Sequence, residues 1–307
     1  MENTKQMPLL RVYLVCIGGM VIGSFISPLI KLLINLGVDS TVITFYRMLF
    51  VSLLVVPVLF SKKENRQKVF SMSKKTFLLL VGYSITKTVG MLSWAEAINQ
   101  GASAFIVNTL GNIQTVFVVV FAWFFLKEKI SKKSMLGIAV CLVGVGVIGL
   151  DNMGAGSTSG LAIIIILVSA LFNAGNTVFG RAVRKGLDLL PLLGVDYMLC
   201  TIFNGAYCVF NGSDFGLSWK AILYLLLLSW FCTLLCHSVP IWALRYVRPA
   251  SVSVINLAGP FVTAATGFLI LNEVPNKMMY LGAAIMACGL GYYVTQEQKE
   301  ALAAKEE

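Results

Sequence analysis

The sequence predicts an all-α membrane protein with ten transmembrane helices, arranged as two inverted five-helix repeats with both termini in the cytoplasm. Long apolar segments, an internal duplication and an alternation of basic loops predict this architecture. Of the 307 residues, 58% are hydrophobic and only 12% are charged, and the mean hydropathy is +0.84. Because soluble domains have about 25% charged residues, the composition excludes an ordinary soluble protein.

Apolar runs of about 20 residues have the length that an α-helix needs to cross a bilayer. Ten of them occur in the chain, at residues 12–34, 41–60, 77–98, 102–126, 134–150, 160–180, 189–210, 220–244, 250–271 and 277–295. The first run is long and is followed by others, which argues against a cleavable signal peptide. We therefore expect a first repeat over residues 1–151, a second over 152–297 and a cytoplasmic tail over 298–307.

The two halves of the chain share residues at a nearly constant separation. Trp94 and Asn108 of the first half match Trp242 and Asn256 of the second, at a shift of 148 residues. Shifts of 145 to 149 residues match Asp39 with Asp188, Glu128 with Glu273, Gly137 with Gly282 and Gly144 with Gly289. Many membrane transporters are built by such a duplication, because two halves can move around a site that lies between them.

Lysine and arginine are concentrated in alternate loops, which predicts the orientation of the chain. The loop between the second and third spans contains Lys62, Lys63, Arg66, Lys68, Lys74 and Lys75, whereas Asp39 and Asp214 lie in loops of the other set. Short loops rich in lysine and arginine face the cytoplasm. Both termini are then cytoplasmic, and since each half has five spans, the second half enters the membrane from the opposite side. These loops also explain the net charge of +10 without a nucleic-acid partner.

Two short elements end the fourth and ninth predicted spans. They are Phe-Phe-Leu-Lys-Glu-Lys (124–129) and Ile-Leu-Asn-Glu-Val (270–274). Both resemble the leucine-x-glutamate element of the EamA-type ten-helix transporters in the drug/metabolite transporter superfamily. Pro260 precedes Glu273 by thirteen residues, as in the family pattern, whereas Thr115 stands at the matching position of the first half. The resemblance extends over nearly the whole chain.

The resemblance implies a central cavity lined by predicted helices 1, 3, 4, 6, 8 and 9. It also implies that helices 5 and 10 pack on each other away from this cavity. Small residues permit a close approach of two membrane helices, and Ala283, Ala287 and Gly291 recur every four positions along helix 10. Pro28, Pro240 and Pro260 interrupt helical hydrogen bonding and are expected to act as bends.

Ionisable side chains inside the predicted spans are functional candidates, because a charge in hydrocarbon is costly. Lys87 is a candidate to bind the carboxylate of a substrate, and a structural pair with a carboxylate or carbonyl is the alternative. Arg47 and Asp196 occupy corresponding positions of the two halves and are candidates for gating. His237, the single histidine, is a candidate for proton coupling because imidazole titrates near neutral pH. A hydrogen-bonding role in the core is its alternative.

Uncharged polar and aromatic side chains form a second group of candidates for substrate binding. Amides offer both donors and acceptors, which suits zwitterionic or heterocyclic ligands, and aromatic rings can form the walls of a site. Hydrogen bonding between helices and anchoring at the membrane interface are the alternatives. The candidates are Trp94, Asn108, Asn173, Asn176, Trp242 and Asn256.

The expected function is secondary active or facilitative export of small polar metabolites, with amino acids or related compounds as substrates, by a multi-pass protein of the cell membrane. An uptake carrier for vitamin-like or nucleoside-like metabolites is the alternative within the same fold. A lipid enzyme would need acidic or histidine clusters such as Asp-Asp-x-x-Asp, and the sequence has none. Neither a cofactor nor a metal is expected, and no Walker motif is present. The expected partners are the substrate and the bilayer, while monomer and oligomer both stay open.

Overall fold

The computed structural model describes residues 9–126, 132–155, 158–184, 186–243 and 258–306. Every regular element in these residues is helical. In chain order the elements are α1 (Leu9–Gly23), α2 (Ile26–Asn35), α3 (Ser40–Ser61), α4 (Lys63–Phe70), α5 (Lys74–Asn99), α6 (Ala104–Gly111), α7 (Gln114–Leu126), α8 (Lys132–Ala155), α9 (Gly160–Arg184), α10 (Leu189–Phe210), α11 (Trp219–Leu226), a π-helix (Leu227–Thr233), α12 (Leu234–Ala243), α13 (Gly259–Leu271) and α14 (Lys277–Glu306).

Several of these helices have the length and composition of membrane spans. Within the described residues, six segments qualify, at 10–35, 40–61, 74–99, 160–184, 189–210 and 219–239. Shorter apolar helices occupy 104–118, 135–148 and 259–271. The chain is therefore an α-helical, multi-pass membrane protein. The count of ten spans and the position of the termini stay predictions.

The distribution of side chains is that of a protein surrounded by lipid. Large apolar side chains cover the outside, and Leu78 and Ile202 are 68% and 59% exposed. The ionisable side chains of the spans lie inside instead, since Arg47, Lys87 and Asp196 are 4%, 2% and 0% exposed. This arrangement keeps charges away from hydrocarbon, where they are costly.

The first predicted span consists of two helices, α1 and α2, separated at Ser24 and Phe25. Pro28 explains the interruption, because it lacks the N–H that would otherwise bond to the carbonyl oxygen of Ser24. The hydroxyl of Thr266 donates a hydrogen bond to this oxygen at 3.1 Å, and that of Thr263 does so at 3.5 Å. The carbonyl released by the proline thus connects the first span to α13.

The fourth predicted span is also divided, into α6 and α7, at Asn112 and Ile113. The backbone tightens here, because the N–H groups of Asn112 and Ile113 bond to carbonyls three residues earlier. The ring of Trp94 packs against the end of α6, where a Cβ atom on Gly111 would lie 2.5 Å from it. The apolar run of residues 102–126 predicts a span here but does not indicate this interruption.

The eighth predicted span, 220–244, contains a π-helical segment between α11 and α12. The hydroxyl of Thr233 closes this segment by donating a hydrogen bond to the carbonyl oxygen of Leu228 at 2.8 Å. The backbone of α12 continues past Pro240 to Ala243. Segments of π-helix are rare and are found frequently at functional sites.

Helices α8 and α14 pack against each other with their backbones in direct contact. A Cβ atom on Gly144 would lie 2.7 Å from the carbonyl oxygen of Gly282, and one on Gly137 would lie 2.8 Å from that of Gly289. Predicted helices 5 and 10 therefore do pair. Close backbone contacts fall on Gly282 and Gly289, and Ala283 of the predicted small residues is buried, at 3% exposure.

Candidate functional site

A buried ion pair lies between α5 and α10. Lys87 Nζ is 2.6 Å from Asp196 Oδ2, and the hydroxyl of Ser84 donates a hydrogen bond of 2.8 Å to Oδ1. Ser84 and Lys87 are three residues apart on one helix, so both side chains project from the same face. The carboxylate of Asp196 compensates the ammonium of Lys87, which is the structural pairing that the sequence left open as an alternative.

Aromatic rings complete the surroundings of Lys87. Its Nζ atom lies 4.5 Å from the ring centroid of Tyr197 and 5.9 Å from that of Tyr83. A cation over a ring face is attracted by the electrons of the ring. The thiol of Cys200 lies 3.5 Å from Asp196 Oδ1, one helical turn further along α10. The ammonium is thus held by one carboxylate and two rings.

Arg47 lies near this pair but is bonded differently. Its Nε atom donates a hydrogen bond of 2.5 Å to the hydroxyl of Thr233, at the end of the π-helix. Among the described residues, no carboxylate lies within ion-pair distance of its guanidinium. Although Arg47 and Asp196 occupy corresponding positions of the two halves, the structure pairs Asp196 with Lys87. The three buried charges leave one positive charge in excess.

Asn173 and Asn176 lie at the contact between α5 and α9. Asn176 Nδ2 donates to the carbonyl oxygen of Tyr83 at 2.9 Å. Asn173 Nδ2 donates to the hydroxyl of Ser169 at 3.3 Å, and this hydroxyl donates to the carbonyl oxygen of Gly90 at 2.6 Å. A Cβ atom on Gly90 would lie 2.6 Å from Asn173 Oδ1. Asn176 therefore bonds α9 directly to α5, whereas Asn173 bonds within α9 to Ser169, whose hydroxyl makes the bond to α5.

The remaining predicted site residues are distributed around α6 and α12. The indole N–H of Trp94 donates a hydrogen bond of 3.1 Å to the hydroxyl of Ser27, which joins α5 to α2. Asn108 is half-buried on α6 and lies close to Gly259 of α13. A Cβ atom added to Gly259 would be 3.5 Å from Asn108 Oδ1. His237 and Trp242 are half-buried on α12. Asn256 and Glu128 lie outside the described residues.

Lys31 and Glu273 form a second ion pair, which the sequence reasoning missed. It joins α2 to the segment after α13, and both side chains are 21% exposed. Glu273 Oε2 also accepts a hydrogen bond of 3.2 Å from the backbone N–H of Ala104, the first residue of α6. A lysine inside the first predicted span is the signal that could have revealed this pair, because such a charge needs a partner.

The contacts described so far connect distant parts of the chain. Lys87 bonds to Asp196, Arg47 to Thr233, Lys31 to Glu273 and Thr266 to Ser24. Each of these contacts joins a residue before position 150 to a residue after position 160. A helical membrane protein with two halves joined by interior polar contacts is of the kind that transporters form.

The chain belongs to the EamA-like transporter family, which matches residues 10–150 and, a second time, residues 160–295. The family consists of transporters, so the protein is a membrane transporter and not an enzyme. The family resemblance that the sequence indicated is thereby confirmed.

Curated relatives support this assignment. A "probable amino-acid metabolite efflux pump" of Escherichia coli (strain K12) is 23% identical over 69% of this chain and 75% of its own length. The protein of the same name from Salmonella typhimurium is 22% identical over 71% of this chain and 76% of its own. The transporter YoaV of Bacillus subtilis is 22% identical over 75% of this chain and 76% of its own.

A crystal structure shares the fold. It superimposes with a TM-score of 0.61 at 12% identity, and the match covers 92% of this chain and 98% of that one.

Proposed function

We propose that the protein exports amino acids or related small polar metabolites by alternating access. In this proposal ten spans form two inverted five-helix halves, with the boundary near residue 151 and both termini in the cytoplasm. The observation that carries the proposal is the set of interior polar contacts between the halves. The names of the enterobacterial relatives support amino acids as the substrate class.

Alternating access requires the contacts between the halves to form and break at the two ends of the protein in turn. Two inverted halves can exchange conformations, which converts an outward-open shape into an inward-open one. The ion pair of Lys31 and Glu273 is more exposed than that of Lys87 and Asp196, so it costs less to separate and suits reversible opening. The fully buried pair of Lys87 and Asp196 is better suited to persist during the movement.

Transport by the purified full-length chain in proteoliposomes tests this function. Vesicles are loaded with a pool of labelled amino acids, vitamins and nucleosides, and efflux is followed at equal and at unequal pH on the two sides. We expect efflux of one or more amino acids above that of protein-free vesicles. Movement of vitamins or nucleosides alone, or of no compound, would contradict the proposal.

The proposed topology has its own experiment. Protease protection of a tag on either terminus, in right-side-out and inverted vesicles, reports the face on which each terminus lies. Both tags should be cleaved only in inverted vesicles. Cleavage of the two tags in vesicles of opposite orientation would refute the ten-span arrangement.

A further inference from the structure

A cavity of about 280 Å³ lies beside the ion pair of Lys31 and Glu273. We propose that this cavity is a binding site for a zwitterionic α-amino acid, whose carboxylate binds Lys31 and whose ammonium binds Glu273. The inference rests on the proposed function and specifies where the substrate is held. The volume of the cavity is close to the lower end of the range for small-molecule sites, about 300–1,000 Å³.

The local backbone directs the carboxylate of Glu273 into this position. Helix α13 ends at Leu271, and Asn272 adopts a left-handed conformation with φ of 54°. The N–H of Glu273 then bonds back to the carbonyl oxygen of Gly267 at 3.4 Å. Because Glu273 Oε2 also accepts the N–H of Ala104, the carboxylate is fixed at the positive end of α6 and one oxygen is left to Lys31.

The wall of the cavity includes a buried hydroxyl, that of Thr158, whose residue is 6% exposed. Within the described residues this hydroxyl makes no hydrogen bond. A buried hydroxyl without a partner is destabilising, so a ligand atom that bonds to it recovers this loss. Thr158 lines the same cavity as Lys31 and Glu273.

The charges select the class of ligand. Lys31 and Glu273 together carry no net charge, and a zwitterion can replace each partner of the pair with its own opposite group. An anion or a cation would leave one of the two side chains uncompensated, which is costly in a partly desolvated site. The apolar part of the wall, formed by Phe105, Ile106 and Met279, then accepts an aliphatic side chain.

The position of the pair connects binding to the movement of the halves. Lys31 lies in the first family match and Glu273 in the second. A zwitterion that inserts between them separates a contact that holds the halves together. In the proposed topology the loops at residues 101 and 273 face the outside, so the cavity is where an exported amino acid leaves.

Binding of labelled L-leucine to the purified full-length chain tests this site, with L-leucinamide and N-acetyl-L-leucine as competitors. The amide lacks the carboxylate, and the acetyl compound lacks the ammonium. In the wild type, each competitor should bind about tenfold or more weakly than leucine, because each lacks one charge-assisted contact. Lys31→Gln should abolish only the discrimination against leucinamide, and Glu273→Gln only that against N-acetylleucine.

Lys220→Gln and Asp214→Asn are matched controls, because both residues are exposed and lie outside the cavity. They should retain the wild-type discrimination. If Lys31→Gln and Glu273→Gln weaken all three ligands equally, the pair is only a structural contact and the site is refuted. Absence of leucine binding to the wild type also refutes it. Efflux of amino acids in proteoliposomes despite either result would leave the proposed function standing.

Discussion

Lys87 and Asp196 form an ion pair with a distance of 2.6 Å in the interior of the protein, 109 residues apart in sequence. Lys87 belongs to the first family match and Asp196 to the second, so the pair joins the two halves. The two carboxylate oxygen atoms of Asp196 accept hydrogen bonds from Ser84 and Lys87, and two tyrosine rings lie next to the ammonium of Lys87. This pair is the most deeply buried ion pair in the described part of the chain.

Asp196→Asn should destabilise the protein by about 3–5 kcal/mol, because it leaves the ammonium of Lys87 buried without a counter-charge. Thermal unfolding in detergent measures this effect. The double variant Lys87→Met/Asp196→Leu should recover most of the loss, since it removes both charges together. Equal stability of the wild type and Asp196→Asn would contradict a paired, desolvated Lys87.

Thr233→Val should destabilise the protein by about 1–3 kcal/mol, because the buried guanidinium of Arg47 loses its hydrogen-bond acceptor. Thr201→Val is the matched control. Among the described residues, the hydroxyl of Thr201 bonds to the carbonyl of the preceding helical turn, at Tyr197, and to no other residue. We expect the control to unfold within a few degrees of the wild type, and equal losses in the two variants would argue against a special role of Thr233.

Gly144→Ala should separate α8 from α14, because the new Cβ atom would lie 2.7 Å from the backbone of Gly282. Overpacking of this kind costs about 1–3 kcal/mol. Gly146→Ala is the control on the same helix, where a Cβ atom would have no described residue within 4 Å. Gly146→Ala should leave the stability unchanged or raise it slightly, since alanine is more favourable than glycine inside a helix. Thermal unfolding that ranks the two variants in the opposite order would refute the described interface.

The exposed cluster of Lys68, Glu64 and Asp188 predicts a dependence on pH. Hydrogen bonding to Asp188 and Glu64 raises the pKa of Lys68, and hydrogen bonding to Lys68 lowers the pKa of Glu64. Glu64 therefore contributes to the free energy of unfolding in full above its unfolded pKa of about 4.3, and this contribution is lost as the pH falls through the lower folded pKa. Lys68 contributes in full below its unfolded pKa of about 10.4, and its contribution is lost as the pH rises through the raised folded pKa.

Lys68→Met should consequently lower Tm by a small amount near pH 7. This difference from the wild type should shrink below pH 4 and in 1 M salt, which screens exposed charges. Lys63→Met is the control, because Lys63 is an exposed neighbour outside the cluster. A difference in Tm that is independent of both pH and salt would exclude an electrostatic origin.

The sequence predicts six of the ten spans closely, because a helix that crosses hydrocarbon needs a long apolar run. The sequence also identified Lys87 as a functional candidate, because a charged side chain deep inside a span is costly. Its partner was not predictable, because the pairing with Asp196 depends on how α5 and α10 pack. Arg47 and Asp196 occupy corresponding positions of the repeat, but this correspondence does not predict a contact, because Asp196 pairs with Lys87.

The interruptions of the helices show the limit of reading apolar runs. Pro28 marks the first interruption, and its effect on the carbonyl of Ser24 follows from the absence of one N–H group. The break at Asn112 and the π-helix before Leu234 contain no proline. Trp94 packs against the chain at the first, and the hydroxyl of Thr233 bonds to the carbonyl of Leu228 at the second. Lys31 lies inside the first predicted span, but its pairing with Glu273 depends on how α2 packs against the segment after α13.

Counterflow in proteoliposomes tests alternating access most directly. Vesicles containing the wild-type chain are preloaded with unlabelled amino acids and diluted into a trace of the same amino acids in labelled form. A carrier whose halves open in turn should exchange the two and accumulate label transiently above its equilibrium level. Simple equilibration without this overshoot, or no entry of label above that of protein-free vesicles, would contradict transport by alternating access.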